Sequence, residues 1–411
     1  MLMSREEAAA LDAVDPLRAH RDQFELPEGV IYLDGNSLGP LSHAARDAAQ
    51  TCIGDEWGRG LIQSWNTAGW VDLPQRCGRR LAGLLGAAEQ DVRVADSTSI
   101  NLYKLLVAAL AHQSGRRTVL TEAGNFPTDL YITDAATQAG ATHGVRRVAF
   151  DEIEQAIDET VAVVVLSHVH YRTGARHDMA AVTRRAHACG ALVLWDLAHS
   201  AGAVPLNLAG DDVDLAIGCG YKFLNGGPGA PAFLYVAPGL QPLLENPICG
   251  WFGHARPFDF DDVYEPAAGM DRWQVGTPGV IGMRSLEGAL SVWDSVSISD
   301  VAEKSAALFD VLAGWIDGPL ADAGFELVTP RDPARRGSQV SCRHPDAWPI
   351  CQALIEAGVI GDFRTPDILR FGLTPLYLRH VDVWDAGARL AQIMASGRWR
   401  DARFQAQQRV T

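Results

Sequence analysis

Two residues near the middle of the chain have side chains that could carry out covalent and acid–base chemistry together: Asp196 and Lys222. Asp196 ends the apolar run ALVLWD. Lys222 follows a second apolar run, DLAIGC, with only Gly220 and Tyr221 between it and Cys219. The loop after the lysine, Asn225–Pro231, is rich in glycine and proline. A lysine amine at the mouth of an apolar site can bind an aldehyde covalently as a Schiff base. A carboxylate at a strand end keeps a neighbouring pyridine nitrogen protonated, because opposite charges favour each other's ionised forms. A protonated pyridine ring is an electron sink that stabilises a carbanion. Taken singly, a strand-end aspartate is more often a turn former, and a lone lysine is usually solvated. Together, with the glycine-rich loop beside them, they point to one site. His199, three residues after Asp196, could stack its ring on a bound cofactor.

The elements that must position these residues follow from periodicity. Short apolar runs at Val92–Asp96, Thr118–Glu122, Val145–Phe150, Val161–Ser167, Ala191–Asp196, Leu215–Cys219 and Ala230–Val236 read as strands. Helical segments are predicted between most of them, at Asn101–His112, Asp129–Ala139, Glu152–Asp158 and Met179–Cys189. The alternation predicts an α/β fold: a mostly parallel central sheet covered by helices, with ligands at the carboxyl ends of the strands. Before it come a helix, a strand at Val30–Asp34, a turn at Gly35–Pro40, and helical stretches at Ser42–Gly60 and Asp72–Leu85. After it, one long helix is predicted over Gly282–Asp317 as a linker. Short strands follow near Phe325–Thr329, Gln339–Arg343 and Ile368–Leu373, with helices at Trp348–Ala357 and Asp382–Ala395, which read as a smaller α+β domain. The expected division is 1–45 as an N-terminal segment packing with the small domain, 46–281 as the large domain, and 282–411 as the small one.

Composition narrows the function. The formal net charge of -15 argues against nucleic acid or an anionic membrane surface as a partner. The seven cysteines make no C-x-x-C pair and are odd in number, so reduced thiols in a cytoplasmic protein are expected, not a disulfide frame or zinc site. No secretory leader and no apolar run of about 18 residues is seen, so no membrane span is expected. His168 and His170 alternate at a strand end without a third ligand, so no metal is expected there.

The order D-L-A-H-S-A-G at 196–202, then Y-K-F-L-N-G-G at 221–227, resembles the kynureninase family, within the class V aminotransferase group of fold type I pyridoxal-phosphate enzymes. The resemblance covers nearly the whole chain. It includes YLDGNSLGP at 32–40, FPTD at 126–129, SHVHYRTG at 167–174, GWFGH at 250–254, GTP at 276–278 and LRFGLTPLY at 369–377.

The resemblance implies pyridoxal 5′-phosphate as cofactor, bound covalently by Lys222, with Asp196 at its ring nitrogen. It implies that Thr98 and Ser99 hold the phosphate at a helix start, where unpaired N–H groups and the helix dipole favour an anion; a plain N-cap fits the same residues. It makes Phe126 the ring-stacking aromatic and Asp129 a hydrogen-bond partner near the ring, where a hydrophobic staple and a cap are the alternatives. It gives Tyr221 a reach to the phosphate and a share in proton transfer. Trp251 and Thr277 complete the phosphate site from the partner subunit of a homodimer, although composition alone reads Trp251 as a core or interface aromatic. Arg370 grips the substrate carboxylate through its planar fork; a surface arginine on an edge strand is the alternative. Trp65 contacts the substrate ring in a loosely matched segment. Asn36 and Ser37 are pocket candidates that their turn explains equally well.

The implied activity is a hydrolytic Cβ–Cγ cleavage of L-kynurenine, or its 3-hydroxy form, to the anthranilate and L-alanine, a step of tryptophan catabolism. Another class V enzyme is the rival reading. An aminotransferase shares the early chemistry. A cysteine desulfurase needs an exposed cysteine loop in the C-terminal half, whereas Cys342 lies in a strand-like run and Cys351 in a helical one. A non-catalytic relative of the fold is the third reading.

Overall fold

The structure is a computed structural model, and it describes residues 2–139 and 144–406. Helix α1 (Arg5–Val14) opens the chain with a reciprocal capping box between Ser4 and Glu7. Strand β1 (Ile31–Tyr32) follows, then α2 (His43–Thr51), capped by Ser42. The expected helical stretch to Gly60 does not continue as α-helix: Cys52–Trp57 is a π-helical turn. After a single turn, α3 (Ser64–Thr67), comes α4 (Leu73–Leu85), which stops at Gly86 in the left-handed conformation.

The alternating region holds β2 (Val92–Val94), α5 (Thr98–His112), β3 (Thr118–Glu122), α6 (Pro127–Ala139), β4 (Gly144–Val148), α7 (Ile153–Ala156), β5 (Val161–Ser167), α8 (Met179–Ala188), β6 (Leu192–Asp196), β7 (Leu215–Gly218) and β8 (Phe233–Val236). Among the described residues these strands form one seven-stranded sheet in the order β2-β8-β7-β6-β5-β3-β4. Strand β8 runs antiparallel to both neighbours and the other pairings are parallel. Strand β5 is VAVVVLS with every residue buried, as a central parallel strand covered on both faces requires. One apolar cluster lies on each face of the sheet, with Trp195 and Trp273 fully buried in the two clusters.

Three expectations change here. The strand expected at Val145–Phe150 ends at Val148, and Phe150 turns out to stack on His177 with ring centroids 3.9 Å apart. The helix expected at Glu152–Asp158 is one turn only: Ile157 is already extended, and Asp158 Oδ1 takes the Thr160 backbone N–H at 2.9 Å in the turn that follows. The strand expected from Ala230 begins at Phe233, after Pro231, which lacks an N–H for the ladder.

The expected long helix is two. Helix α9 (Val280–Ser291) packs on α2 and α4, while α10 (Ile298–Asp317) packs on the C-terminal elements. Between them Val296 and Ser297 are extended, so the chain turns at the Val-Ser-Ile step. The C-terminal elements are β9 (Glu326–Leu327), β10 (Gln339–Arg343), α11 (Ala347–Glu356), β11 (Val359–Ile360), β12 (Asp362–Arg364), β13 (Ile368–Gly372) and α12 (His380–Ser396). Strands β12-β13-β10-β9 form an antiparallel sheet. Strand β1 pairs in parallel with β11, and α1 packs on α12. Asp12 caps α12 from the other end of the chain, accepting from the backbone N–H of His380 at 2.6 Å and of Val381 at 3.1 Å.

Candidate active site

Five strands of the large sheet deliver their carboxyl ends to one cavity of about 100 Å3. Strand β2 leads to Thr98 and Ser99, β3 to Phe126 and Asp129, β5 to Ser167 and Tyr171, β6 to Asp196 and His199, and β7 to Tyr221 and Lys222, all of which line it. This is where the topology of a parallel sheet puts a ligand. Larger cavities of about 560 and 460 Å3 lie elsewhere, and neither contains the lysine.

The lysine loop is held from the far N-terminal turn. Gly39 N–H donates to the Tyr221 carbonyl at 2.8 Å, and a Cβ on Gly39 would lie 2.3 Å from the Lys222 carbonyl oxygen. Only glycine permits that approach. Lys222 Nζ sits 5.7 Å from the centre of the Phe126 ring and 6.0 Å from that of Tyr221. Phe126 meets Tyr171 edge-on at 5.2 Å. Burial raises the Tyr221 phenol above its ordinary range, so it stays protonated.

Asp196 and Asp129 are both fully buried and face each other. Burial raises both carboxyls above the ordinary range; the Asp196 charge raises Asp129 further, while the Lys222 charge opposes the shift at Asp196. Counted as two carboxylates, they leave Asp129 Oδ1 without a donor. One shared proton resolves this, because a protonated carboxyl donates to its neighbour. Asp196 also takes the turn-forming role that its position predicted: its Oδ1 accepts from Ala198 N–H at 2.8 Å. Ser167 Oγ lies 3.1 Å from Asp129 Oδ2 and 2.7 Å from Asn125 Oδ1. His199 is buried with Nδ1 unpartnered, and burial followed by the Lys222 charge holds it neutral.

The alternatives separate cleanly here. The N-cap of α5 is Ser97, whose Oγ accepts from Ile100 N–H at 3.4 Å, and the helix starts at Thr98, not Asn101. Thr98 and Ser99 are therefore released from capping, and both line the cavity. Asp129 turns its carboxyl to Ser167 and Asp196 and does not cap α6.

The remaining predicted residues lie apart from the cavity lining. Arg370 is no surface residue: its side chain is 1% exposed. Its Nε donates to Asp362 Oδ1 at 2.9 Å, its Nη1 to the Tyr171 carbonyl at 2.7 Å, and its Nη2 to Ser37 Oγ at 2.8 Å and to Asp362 Oδ2. Ser37 thus belongs to the arginine cluster, not to the cavity wall. Asn36 is fully buried against Gly372 with its amide unpartnered. Trp65 packs with Trp70 at 5.6 Å and Phe252 at 5.9 Å. Trp251, 42% exposed, stacks near Phe260 at 5.9 Å, and Thr277 lines the 460 Å3 cavity beside Asp96. One copy of the chain thus brings neither residue to Lys222.

Ser167, Tyr171 and Asp362 were given no role from sequence. The segment SHVHYRTG carried the first two in a recognised motif; nothing local marks Asp362. His168 is buried with Nδ1 2.9 Å from Ser200 Oγ, and burial pushes its pKa down to about 3. No three-residue cluster able to hold a metal exists among the described residues. Cys342 and Cys351 are buried, and burial pushes Cys342 up to about 12. Neither is the exposed nucleophile that a desulfurase requires.

A cofactor with a cationic ring nitrogen, an aldehyde and a phosphate fits this wall. It would meet the buried Asp196–Asp129 carboxyl pair, the amine and the helix start in turn.

Residues 301–390 match the family described as the kynureninase C-terminal domain. The chain is 49% identical to kynureninase of Pseudomonas fluorescens and 48% identical to kynureninase of Burkholderia mallei, each match covering 100% of both chains. Among solved structures it resembles a C-DES mutant with glycine covalently linked to its PLP cofactor (TM-score 0.78, 19% identity, 90% of this chain and 98% of that one). It also resembles the cysteine desulfurase CsdA of Escherichia coli (TM-score 0.75, 19% identity, 93% and 99%). At that identity the likeness establishes the fold alone: that of the class V pyridoxal-phosphate enzymes.

Proposed function

The chain belongs to the kynureninase family, and on that premise we propose that it hydrolyses L-kynurenine at the Cβ–Cγ bond, giving anthranilate and L-alanine. The observation that carries this reading is the convergence of the Lys222 amine, the Asp196–Asp129 carboxyl pair and the Phe126 ring on one cavity.

Pyridoxal 5′-phosphate supplies an aldehyde for covalent attachment and a ring that draws electrons from the substrate Cα. Thr98 and Ser99 hold its phosphate at the start of α5. Asp196 would hold the proton of its ring nitrogen, with Asp129 and Ser167 keeping that carboxyl in place. Phe126 and His199 provide flat walls for the ring. Lys222 would hold the cofactor aldehyde, and its amine, when free, would take the Cα proton as a general base. Tyr221, protonated at neutral pH, hands a proton on alongside it. Arg370 offers its remaining N–H to the substrate carboxylate, with Asp362 and Ser37 fixing the fork. Asn36, packed against Gly372 on the strand that carries Arg370, backs the same cluster, and Trp65 is offered for the substrate ring. Trp251 and Thr277 reach the phosphate from a second copy of the chain.

Three units are read along the chain: 1–45, 46–281 and 282–411. The pairing of β1 with β11 and the packing of α1 on α12 support joining the first to the third. No helix among the described residues is long and apolar enough to cross a membrane. A cytoplasmic hydrolase is proposed on the odd, scattered cysteines of the sequence.

The test is incubation with kynurenine and with 3-hydroxykynurenine, following anthranilate fluorescence or its hydroxylated counterpart, with and without an added keto acid. Release of the aryl acid without keto acid, lost in Lys222→Ala, is expected. Turnover only with keto acid would mean transamination and would overturn the proposal.

A further inference from the structure

Lys104 lies on the second turn of α5 and is fully buried. Its Nζ donates to Asp96 Oδ2 at 2.6 Å and to the Trp273 carbonyl at 2.6 Å. Burial lowers its pKa and Asp96 opposes that shift. Placing an ammonium in a core carries a desolvation penalty that an apolar side chain of similar volume would not. The ammonium is buried while the Asp96 side chain stays 26% exposed, and a pair of this kind adds little to stability for its own sake; what it does do is fix a geometry.

That geometry is specific. Asp96 has φ +48°, the left-handed region that a non-glycine residue adopts only under constraint. Its carbonyl accepts from Ala232 N–H at 3.0 Å, and the Asn101 amide donates to the Ala95 carbonyl at 2.8 Å. The residues that follow Asp96 are Ser97, which caps α5, then Thr98 and Ser99, which face the cavity. The turn at Asp96 therefore sets the direction in which the first N–H groups of α5 point. The second partner, Trp273, lies four residues before Thr277, and Asp96 and Thr277 line the same 460 Å3 cavity. One ammonium thus ties the start of α5 to the segment that runs into Thr277.

We infer that Lys104 is a positioning residue for the phosphate end of the cofactor site: it locks the Asp96 turn and the Trp273–Thr277 segment together so that the α5 N-terminus is set to receive the phosphate. This rests on the reading that Thr98 and Ser99 hold that phosphate.

The test compares pyridoxal 5′-phosphate with pyridoxal, which carries the same aldehyde and ring without the phosphate. Cofactor-free full-length protein is titrated with each, following absorbance and tryptophan fluorescence, and the ratio of the two affinities is read. In Lys104→Met the affinity for pyridoxal 5′-phosphate is expected to fall about tenfold or more while that for pyridoxal stays unchanged. Should that variant fail to fold, Lys104→Met combined with Asp96→Asn removes both charges and leaves no buried charge unpaired. A parallel Thr98→Ala, Ser99→Ala variant separates the two claims. If it changes the ratio and the Lys104 variants do not, the role of Lys104 is refuted and the phosphate reading stands. If it leaves the ratio unchanged, the phosphate reading fails and takes the inference with it. Equal loss of both ligands in the Lys104 variants would mean general structural damage and would also refute the proposal.

Discussion

Arg370 and Asp362 sit directly opposite each other on antiparallel strands β13 and β12, and the carboxylate takes both Nε and Nη2 of the guanidinium. With the Tyr171 carbonyl and Ser37 Oγ also engaged, four of the five guanidinium N–H groups are accounted for. The fork is therefore fixed before any substrate arrives, and one N–H remains for a carboxylate.

Arg370→Lys tests that arrangement. Arg364 already pairs with Asp362 at 2.6 Å, so the buried carboxylate keeps a partner and the fold should survive. A lysine cannot reach Asp362, Ser37 and Tyr171 at once. Steady-state kinetics should give a KM for kynurenine raised by about tenfold to a hundredfold, with kcat falling less. An unchanged KM would remove Arg370 from substrate binding.

Asp34 offers a pH test on the same cluster. Burial, then the Asp362 charge, raises its carboxyl to about 7, and its Oδ1 has no partner. A folded-state pKa above the unfolded value means that the native protein holds this proton more tightly. The stabilisation is then present at low pH and is lost as pH rises from about 4 towards 7. Asp34→Asn removes the effect. The stability of wild type relative to Asp34→Asn should fall with rising pH across that window, by at most about 1.4 kcal/mol per pH unit. Thermal unfolding of both proteins between pH 5 and pH 8 is the measurement, and parallel curves would contradict it.

Gly39 tests how the lysine loop is held. In Gly39→Ala the new methyl group would lie 2.3 Å from both the Lys222 carbonyl oxygen and Asn225 Oδ1, and 2.8 Å from Asn225 Cα. Backbone cannot yield as a flexible side chain can. A loss of about 1–3 kcal/mol is expected in denaturant unfolding, together with a change in the absorbance of the cofactor-loaded protein as Lys222 shifts.

Subunit mixing tests the shared site. Trp251 and Thr277 lie away from Lys222 within one copy, so their proposed role requires a second. Lys222→Ala and Thr277→Ala proteins should each be weak or inactive alone. Mixed one to one after subunit exchange, they should recover about a quarter of wild-type activity, because each mixed dimer rebuilds one intact site. No recovery, with exchange verified by mass, would place the whole site within one subunit.

Much of this was legible along the chain. Asp196 and Lys222 stand out because the one ends and the other closely follows an apolar run that reads as a buried strand, and a parallel sheet sends such ends to one edge. The segments around 32–40, 126–129 and 167–174 carry their signal in contiguous residues, so their place near the site could be read without coordinates. The break at Val296–Ser297 was hidden because the apolar pattern of Gly282–Asp317 runs on through it, and only the different surfaces that α9 and α10 cover require the turn.

The order of residues determined which strands are buried, where the sheet's reactive edge lies, and which amine and carboxylate stand there, since these follow from local periodicity and side-chain type. Tertiary structure alone decided that Asp129 faces Asp196, that Asp362 occupies Arg370, and that Lys104 ties Asp96 to Trp273. Those pairs are set by strand register and layer packing between segments far apart in sequence, and no local pattern encodes which distant partner a side chain will meet.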